Sequence, residues 1–229
     1  MSLIQRKPRP LTRDSSGFRD DRLFIVACDD TYAPQQYFNL FQIPRVKIFV
    51  VNTPAGEPSS SEYVLERLLA YKEYEERDER WLLLDTDHYI GDSHIATFSQ
   101  TLAKARQNNI TIAVSRPCFD LWLLLHHMDE TSVPALQNAG EVEMKIRSVV
   151  GEFNKTNLKK EHYPIEAITE AYRRAARLDQ GMTADIPSGN STRVYRLLKS
   201  IMNKSLASQL PSFLAELHAE IQRESIVNG

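Results

Sequence analysis

Two apolar runs of the sequence each end in closely spaced aspartates. The runs cover residues 23–28 and 81–84, and the acids that follow them are Asp29, Asp30, Asp85 and Asp87. Runs of this kind are typical of parallel strands buried on both faces, and carboxylates just past such strands face the crevice where open α/β sheets bind ligands. Clustered carboxylates repel one another, and their hard oxygens suit Mg²⁺ or Mn²⁺. The sequence therefore predicts a metal site formed by Asp29, Asp85 and Asp87, with Asp30 as a further ligand.

Each of these acids also has a purely structural interpretation. An Asp-x-Asp sequence occurs by chance and often caps a turn, and Asp29 could serve as the N-cap or Asx-turn of the next helix. If the acids do bind a metal ion, Asp29 either completes the coordination shell or acts as a general base on water.

A further acidic candidate lies inside an apolar segment. Residues 118–127 are almost entirely apolar and predict a central buried helix with Pro117 in its first turn. Asp120 is the exception, because a buried carboxylate needs a partner or a metal ion. At helical spacing Asp120 and His127 share one stripe, so we take both as supporting residues of the site. The alternative is that Asp120 only caps the helix or pairs with Arg116, and that His127 is an ordinary helix-end residue.

Strand and helix patterns alternate in the first part of the chain. We predict four strands, which span residues 22–28, 46–52, 81–85 and 111–115. This alternation predicts an α/β domain over residues 22–138, with a mostly parallel, Rossmann-like sheet flanked by helices. If the first and third strands are neighbours, as in a doubly wound order, Asp29 and Asp85 share one crevice.

The strand patterns stop after about residue 138. Four helical patterns follow, at residues 141–153, 164–178, 192–203 and 210–224. Residues 139–229 are therefore predicted to form a helical extension. Its basic residues, Lys155 among them, are expected mostly on solvated faces, although some could contact phosphate. Residues 1–21 are predicted to be a flexible basic arm; the alternative is an arm that contacts a nucleic-acid backbone.

The composition is that of an ordinary soluble protein. The chain has 229 residues, 42% hydrophobic and 25% charged, with a formal net charge of −2, so any basic surface for nucleic acid must be local. Cys28 and Cys118 form neither a disulfide framework nor a zinc pattern and are expected to be buried thiols. We find no apolar segment that resembles a signal peptide or a membrane span, so we expect no membrane association and a cytoplasmic location.

Four stretches of the chain, in this order, resemble the RloB-like (AbiLii-like) family. They are residues 25–30 with Tyr37 and Phe38, residues 85–87, residues 115–126 and residues 190–197. That family is associated with restriction-modification and phage-defence loci, often beside an AAA-type ATPase, and is regarded as Toprim-like. The resemblance implies a Toprim-like fold, Mg²⁺ binding and phosphodiester chemistry. In that chemistry Asp85 and Asp87 hold the metal-bound phosphate, and Asp29 handles the proton or a second metal ion.

The chain departs from the family pattern at its acids. The Glu-Gly that ends the family's first strand is Asp29-Asp30 here, a second family Glu falls near Pro34, and the Glu of the apolar helix is Asp120. The implied function is a Mg²⁺-dependent nuclease, acting on DNA or RNA, or a nuclease-derived subunit that works with an AAA-type ATPase in phage defence. The alternative is a non-catalytic sensor or adaptor that keeps the fold. Nucleotidyl transfer ranks last, because no Gly-rich nucleotide loop is present.

Overall fold

The computed structural model describes residues 21–40, 42–87, 89 and 94–227. Residues 1–20 of the predicted basic arm lie outside the described residues.

The sheet has five strands in the order β2-β1-β3-β4-β5. They are β1 (Arg22–Cys28), β2 (Val46–Val51), β3 (Glu79–Asp85), β4 (Thr111–Arg116) and β5 (Ser191–Thr192). The first four strands are parallel, and β5 pairs antiparallel with β4. The predicted mostly parallel sheet with β1 beside β3 is confirmed. The prediction that strands stop after about residue 138 is wrong, because β5 is too short to give an alternating pattern.

Eight α-helices accompany the sheet in the described part of the chain. They are α1 (Ala33–Asn39), α2 (Ser61–Ala70), α3 (Ile95–Gln107), α4 (Asp120–Leu124), α5 (Ala139–Val150), α6 (Ile168–Leu178), α7 (Val194–Lys204) and α8 (Ser212–Val227). The C-terminal helical region is confirmed. None of the described helices is both long and apolar enough to cross a bilayer.

The apolar helix predicted over residues 118–127 is shorter in the structure. Only Asp120–Leu124 is α-helical, Pro117 precedes it after a cis peptide bond, and tighter turns follow it. The amides of His126 and His127 bond to carbonyls three residues back rather than four. Every residue of α4 is buried. The length of this helix is therefore set by tertiary packing on all sides and not by the helical pattern of the sequence.

Both faces of the sheet are covered. Along β1, alternate residues enter two different cores, as the period of a strand requires. Phe24 and Val26 pack in the core that contains α4 to α8, whereas Ile25 and Ala27 pack against α2 and α3. The C-terminal helices therefore pack on one face of the sheet.

Candidate metal centre

The ends of β1 and β3 bring Asp29 and Asp85 together. Cys28 pairs with Leu83 in the parallel register, so the next residue, Asp29, stands beside the last residues of β3. Its Oδ2 accepts a hydrogen bond from the backbone N–H of Asp85 at 2.9 Å, and its Oδ1 accepts one from Asp30 N–H at 3.1 Å. Two backbone amides thus fix the Asp29 carboxylate across the gap between the strands.

This pair is electrostatically strained. Burial raises the pKa of Asp29 to about 7, and the charges of Asp30 and Asp87 act in the same direction, whereas hydrogen bonding to the backbone of Asp85 and of Asp29 itself opposes the rise. Burial and the charge of Asp29 also raise the pKa of Asp85 well above its ordinary value, against a hydrogen bond from the Phe119 backbone. Without a cation, the two carboxyl groups therefore resist simultaneous ionisation near neutral pH.

Asp87 stands at the rim of the same crevice. The loop after β3 is tied to the end of β4, because Thr86 N–H donates to the carbonyls of Ser115 (3.1 Å) and Pro117 (2.9 Å). The amide of Asp87 also donates to the Pro117 carbonyl, at 3.1 Å. The Asp87 side chain is exposed, and its charge acts on both inner aspartates.

Asp30 has a structural role at the start of α1. Its Oδ1 accepts hydrogen bonds from the amides of Tyr32 (2.8 Å) and Ala33 (3.0 Å). The turn-capping role that the sequence left open for Asp29 therefore belongs to Asp30. Its other oxygen, Oδ2, lies 3.7 Å from Nζ of Lys155.

Asp120 pairs with Lys155. Asp120 Oδ2 lies 2.7 Å from Lys155 Nζ, and the Asp120 side chain is 1% exposed. Burial raises the pKa of Asp120 to about 6 in spite of the lysine. Burial works against the charge on Lys155, but attraction to Asp120 and Asp30 outweighs it, so the pKa of Lys155 is raised. The alternative pairing with Arg116 is not formed, since the Arg116 guanidinium donates to the carbonyls of residues 187 and 188.

Lys155 is a residue of the site that sequence analysis missed. It lies in the loop after α5, far along the chain from Asp30, and its position is set by Gln36 of α1. The Gln36 side chain donates to the Lys155 carbonyl at 2.5 Å and accepts from the Leu158 amide at 2.7 Å. The sequence carries no signal for this contact, because a lysine in a polar loop has the pattern of a solvated residue.

His127 belongs to a separate group of side chains. Its ring lies 6.4 Å from that of His126 and 5.5 Å from that of Tyr163, measured between centroids. Burial lowers the pKa of His127, and the charges that add to this effect are those of His162 and Arg174. The structure therefore does not bring His127 together with the aspartates.

The donor set suits a hard divalent cation. No group of three or more metal-ligating side chains is already assembled among the described residues, which omit residues 88 and 90–93. Mg²⁺, however, commonly takes one or two carboxylates and completes its shell with water and substrate phosphate. Asp29 and Asp85 supply such a pair, and burial together with the charges of neighbouring aspartates raises the pKa of both.

These features define an α/β protein with a mostly parallel sheet and an acidic crevice between its two central strands. The chain belongs to the RloB-like family, since the family model described as "RloB-like protein" matches residues 24–201, from β1 into α7. No curated protein and no solved structure matches the chain significantly.

Proposed function

We propose that this protein is a Mg²⁺- or Mn²⁺-dependent phosphodiesterase with a Toprim-like site, acting as a nuclease or as a nuclease-derived subunit. The observation that carries the proposal is the contact between Asp29 and the Asp85 backbone at the ends of β1 and β3. Two neighbouring carboxyl groups with raised pKa values destabilise the fold when both are ionised, and a divalent cation bound between them would relieve that repulsion.

Each acidic side chain has a distinct part in this proposal. Asp29 and Asp85 hold the ion, and the exposed Asp87 adds an oxygen ligand from the rim. When bound, the ion supplies polarisation of the phosphate and activation of water. Without the ion, burial raises the pKa of Asp29 to about 7, so binding of the ion near neutral pH would displace a proton from this carboxyl group.

Lys155 supplies fixed positive charge next to the acids. Asp120 and Asp30 hold its ammonium group on the side of the crevice where α1 begins. A retained cation here offsets part of the repulsion that a phosphate would meet from the aspartates.

The biological setting is also part of the proposal. We infer phage defence, a cytoplasmic location, an AAA-type ATPase partner and a nucleic-acid substrate, and these inferences rest on the RloB-like family resemblance. The absence of an apolar spanning helix among the described helices is consistent with a protein that does not cross a membrane.

A second candidate function is a non-catalytic sensor or adaptor that keeps the fold. Two observations favour it. Asp29 is one methylene shorter than the Glu of the family pattern, and the described residues do not present three assembled ligands. In this case partner binding would not depend on Asp85 or on a metal ion.

Calorimetric titration with Mn²⁺ separates the two functions. The wild type should bind Mn²⁺ saturably with millimolar affinity or better, and the Asp85→Ala/Asp87→Ala variant should not. The matched control is Asp129→Ala/Asp185→Ala, which removes the same charge from exposed or half-exposed positions outside the crevice. Saturable binding is then followed by cleavage assays on DNA and RNA; absence of binding by the wild type would exclude the catalytic proposal.

A further inference from the structure

A polar cleft opens directly beside the candidate metal centre. Its volume is about 430 Å³. The loop after β3, the end of β4, the turn before α5 and the loop before β5 all contribute to it, through residues that include Asp87, Arg116, Pro117, Leu136, Gln137 and Asn190. Because Asp87 lines both the cleft and the rim of the crevice, a ligand in the cleft lies next to the aspartates.

One wall of the cleft combines apolar surface with unpaired amide oxygens. Pro117 and Leu136 provide apolar surface. The Asn190 side chain donates to the carbonyls of Val133 (3.0 Å) and Leu136 (2.5 Å), which fixes this wall. No described residue donates to the side-chain carbonyl oxygen of Asn190 or to that of Gln137. These oxygens are therefore available to a ligand that carries hydrogen-bond donors.

Arg116 provides the positive charge. Its Nη1 donates to the carbonyls of Pro187 (3.1 Å) and Ser188 (3.0 Å), which anchors the guanidinium at the cleft. Its Nε and Nη2 have no partner among the described residues. An anchored guanidinium with unused donors is suited to a phosphate oxygen.

We propose that the cleft binds one nucleotide of a single-stranded nucleic acid, next to a phosphate that a metal ion at Asp29 and Asp85 would hold. This inference rests on the proposed function and specifies its substrate class. Unstacked bases are recognised by stacking contacts together with hydrogen bonds to their edges. The cleft offers the apolar surface of Pro117 and Leu136 for contact with a base and two amide oxygens for its edge. A paired base would first have to leave its duplex to enter a site of this size. Single-stranded RNA and single-stranded DNA share this chemistry.

Fluorescence anisotropy tests the inference with labelled ten-nucleotide strands of RNA and of DNA, each alone and as a duplex, in Ca²⁺ buffer. The wild type should bind at least one of the single strands about tenfold more tightly than its duplex. Comparison of single-stranded RNA with single-stranded DNA then shows which of the two is the preferred ligand. Arg116→Gln should weaken single-strand binding by about tenfold and reduce the salt dependence by about one phosphate contact. Arg22→Gln, the same change at the opposite edge of the sheet, should have neither effect.

A second variant, at the exposed residue Gln137, tests the inference if Arg116→Gln fails to fold, because a change at an exposed position should not disturb folding. Gln137→Glu changes only a carboxamide to a carboxylate and should also weaken single-strand binding, whereas the matched Gln209→Glu should not. Equal binding of duplex and single strand, or binding unaffected by both cleft variants, would overturn the inference. Failure of the metal-centre proposal would give a different result, namely no Mn²⁺ binding by the wild type. The cleft variants should bind Mn²⁺ as the wild type does, so the two proposals can fail separately.

Discussion

Asp85→Asn should make the metal-free protein more stable. The substitution removes one of two carboxylates that face each other across β1 and β3, and the new amide oxygen can still accept the hydrogen bond from the Phe119 backbone. It leaves the bond from the Asp85 backbone amide to Asp29 untouched. A residue that binds a cation is expected to destabilise the protein in the absence of that cation, whereas a structural residue is not.

The effect follows from the raised pKa of Asp85. Burial and the charge of Asp29 hold that pKa well above its ordinary value, so the ionised Asp85 destabilises the folded protein near neutral pH. Each pH unit of such a rise corresponds to about 1.4 kcal/mol, and an asparagine has no charge to desolvate and does not repel Asp29. We expect a gain of about 1–2 kcal/mol, or roughly 2–8 °C in Tm.

The sign of the pH dependence is fixed. A carboxyl group whose pKa is raised by folding binds more protons in the folded state, so its destabilising effect develops as pH rises above about 4. The difference between Asp85→Asn and the wild type should therefore be small at pH 4 and clearly larger at pH 8.

Thermal and urea unfolding in EDTA measure this difference, with Asp185→Asn as a half-exposed control outside the crevice. Adding Mn²⁺ should reverse the order, because the ion stabilises only the wild type. A variant that is less stable than the wild type at pH 8 in EDTA would refute the reasoning, since it would show that the Asp85 carboxylate is a net stabilising group.

Three further predictions concern the surroundings of the site. Lys155→Met should destabilise the protein by about 1–2 kcal/mol in urea unfolding, increasingly above pH 6, because it leaves the buried Asp120 without its partner. Lys159→Met, in an exposed pair, should change stability far less. Arg193→Met should cost about 1–3 kcal/mol in the same assay, because it removes one partner of the almost fully buried Asp179, which Arg196 and Tyr195 still contact; a loss below about 0.5 kcal/mol would contradict this. Mn²⁺ affinity should rise with pH up to about 7, by at most about tenfold per unit for each proton displaced, and a flat calorimetric profile would contradict the raised pKa values.

The central strands and their acids could be predicted from the sequence because the signal there is local. The residues of β1 and β3 are buried on both faces, so they form continuous apolar runs, and the first polar residues after such runs must lie at the strand ends. The adjacency of β1 and β3 then followed from a common strand order.

Other parts of the site depend on contacts between distant segments. The sequence did not show that Asp30 rather than Asp29 holds the turn before α1, because either aspartate fits the turn. It did not show Lys155, because the partner that distinguishes this lysine from its neighbours comes from α4. The strand β5 has two residues, and its pairing with β4 is decided by tertiary packing alone.

The most direct test of the account is to count the protons released when Mn²⁺ binds. Calorimetric titrations at pH 6.5, in buffers with different ionisation enthalpies, give that number. The account predicts release of about one proton or more, since the pKa of Asp29 is about 7 and that of Asp85 is raised as well. Binding without proton release, or no binding, would contradict a metal centre built on these two aspartates.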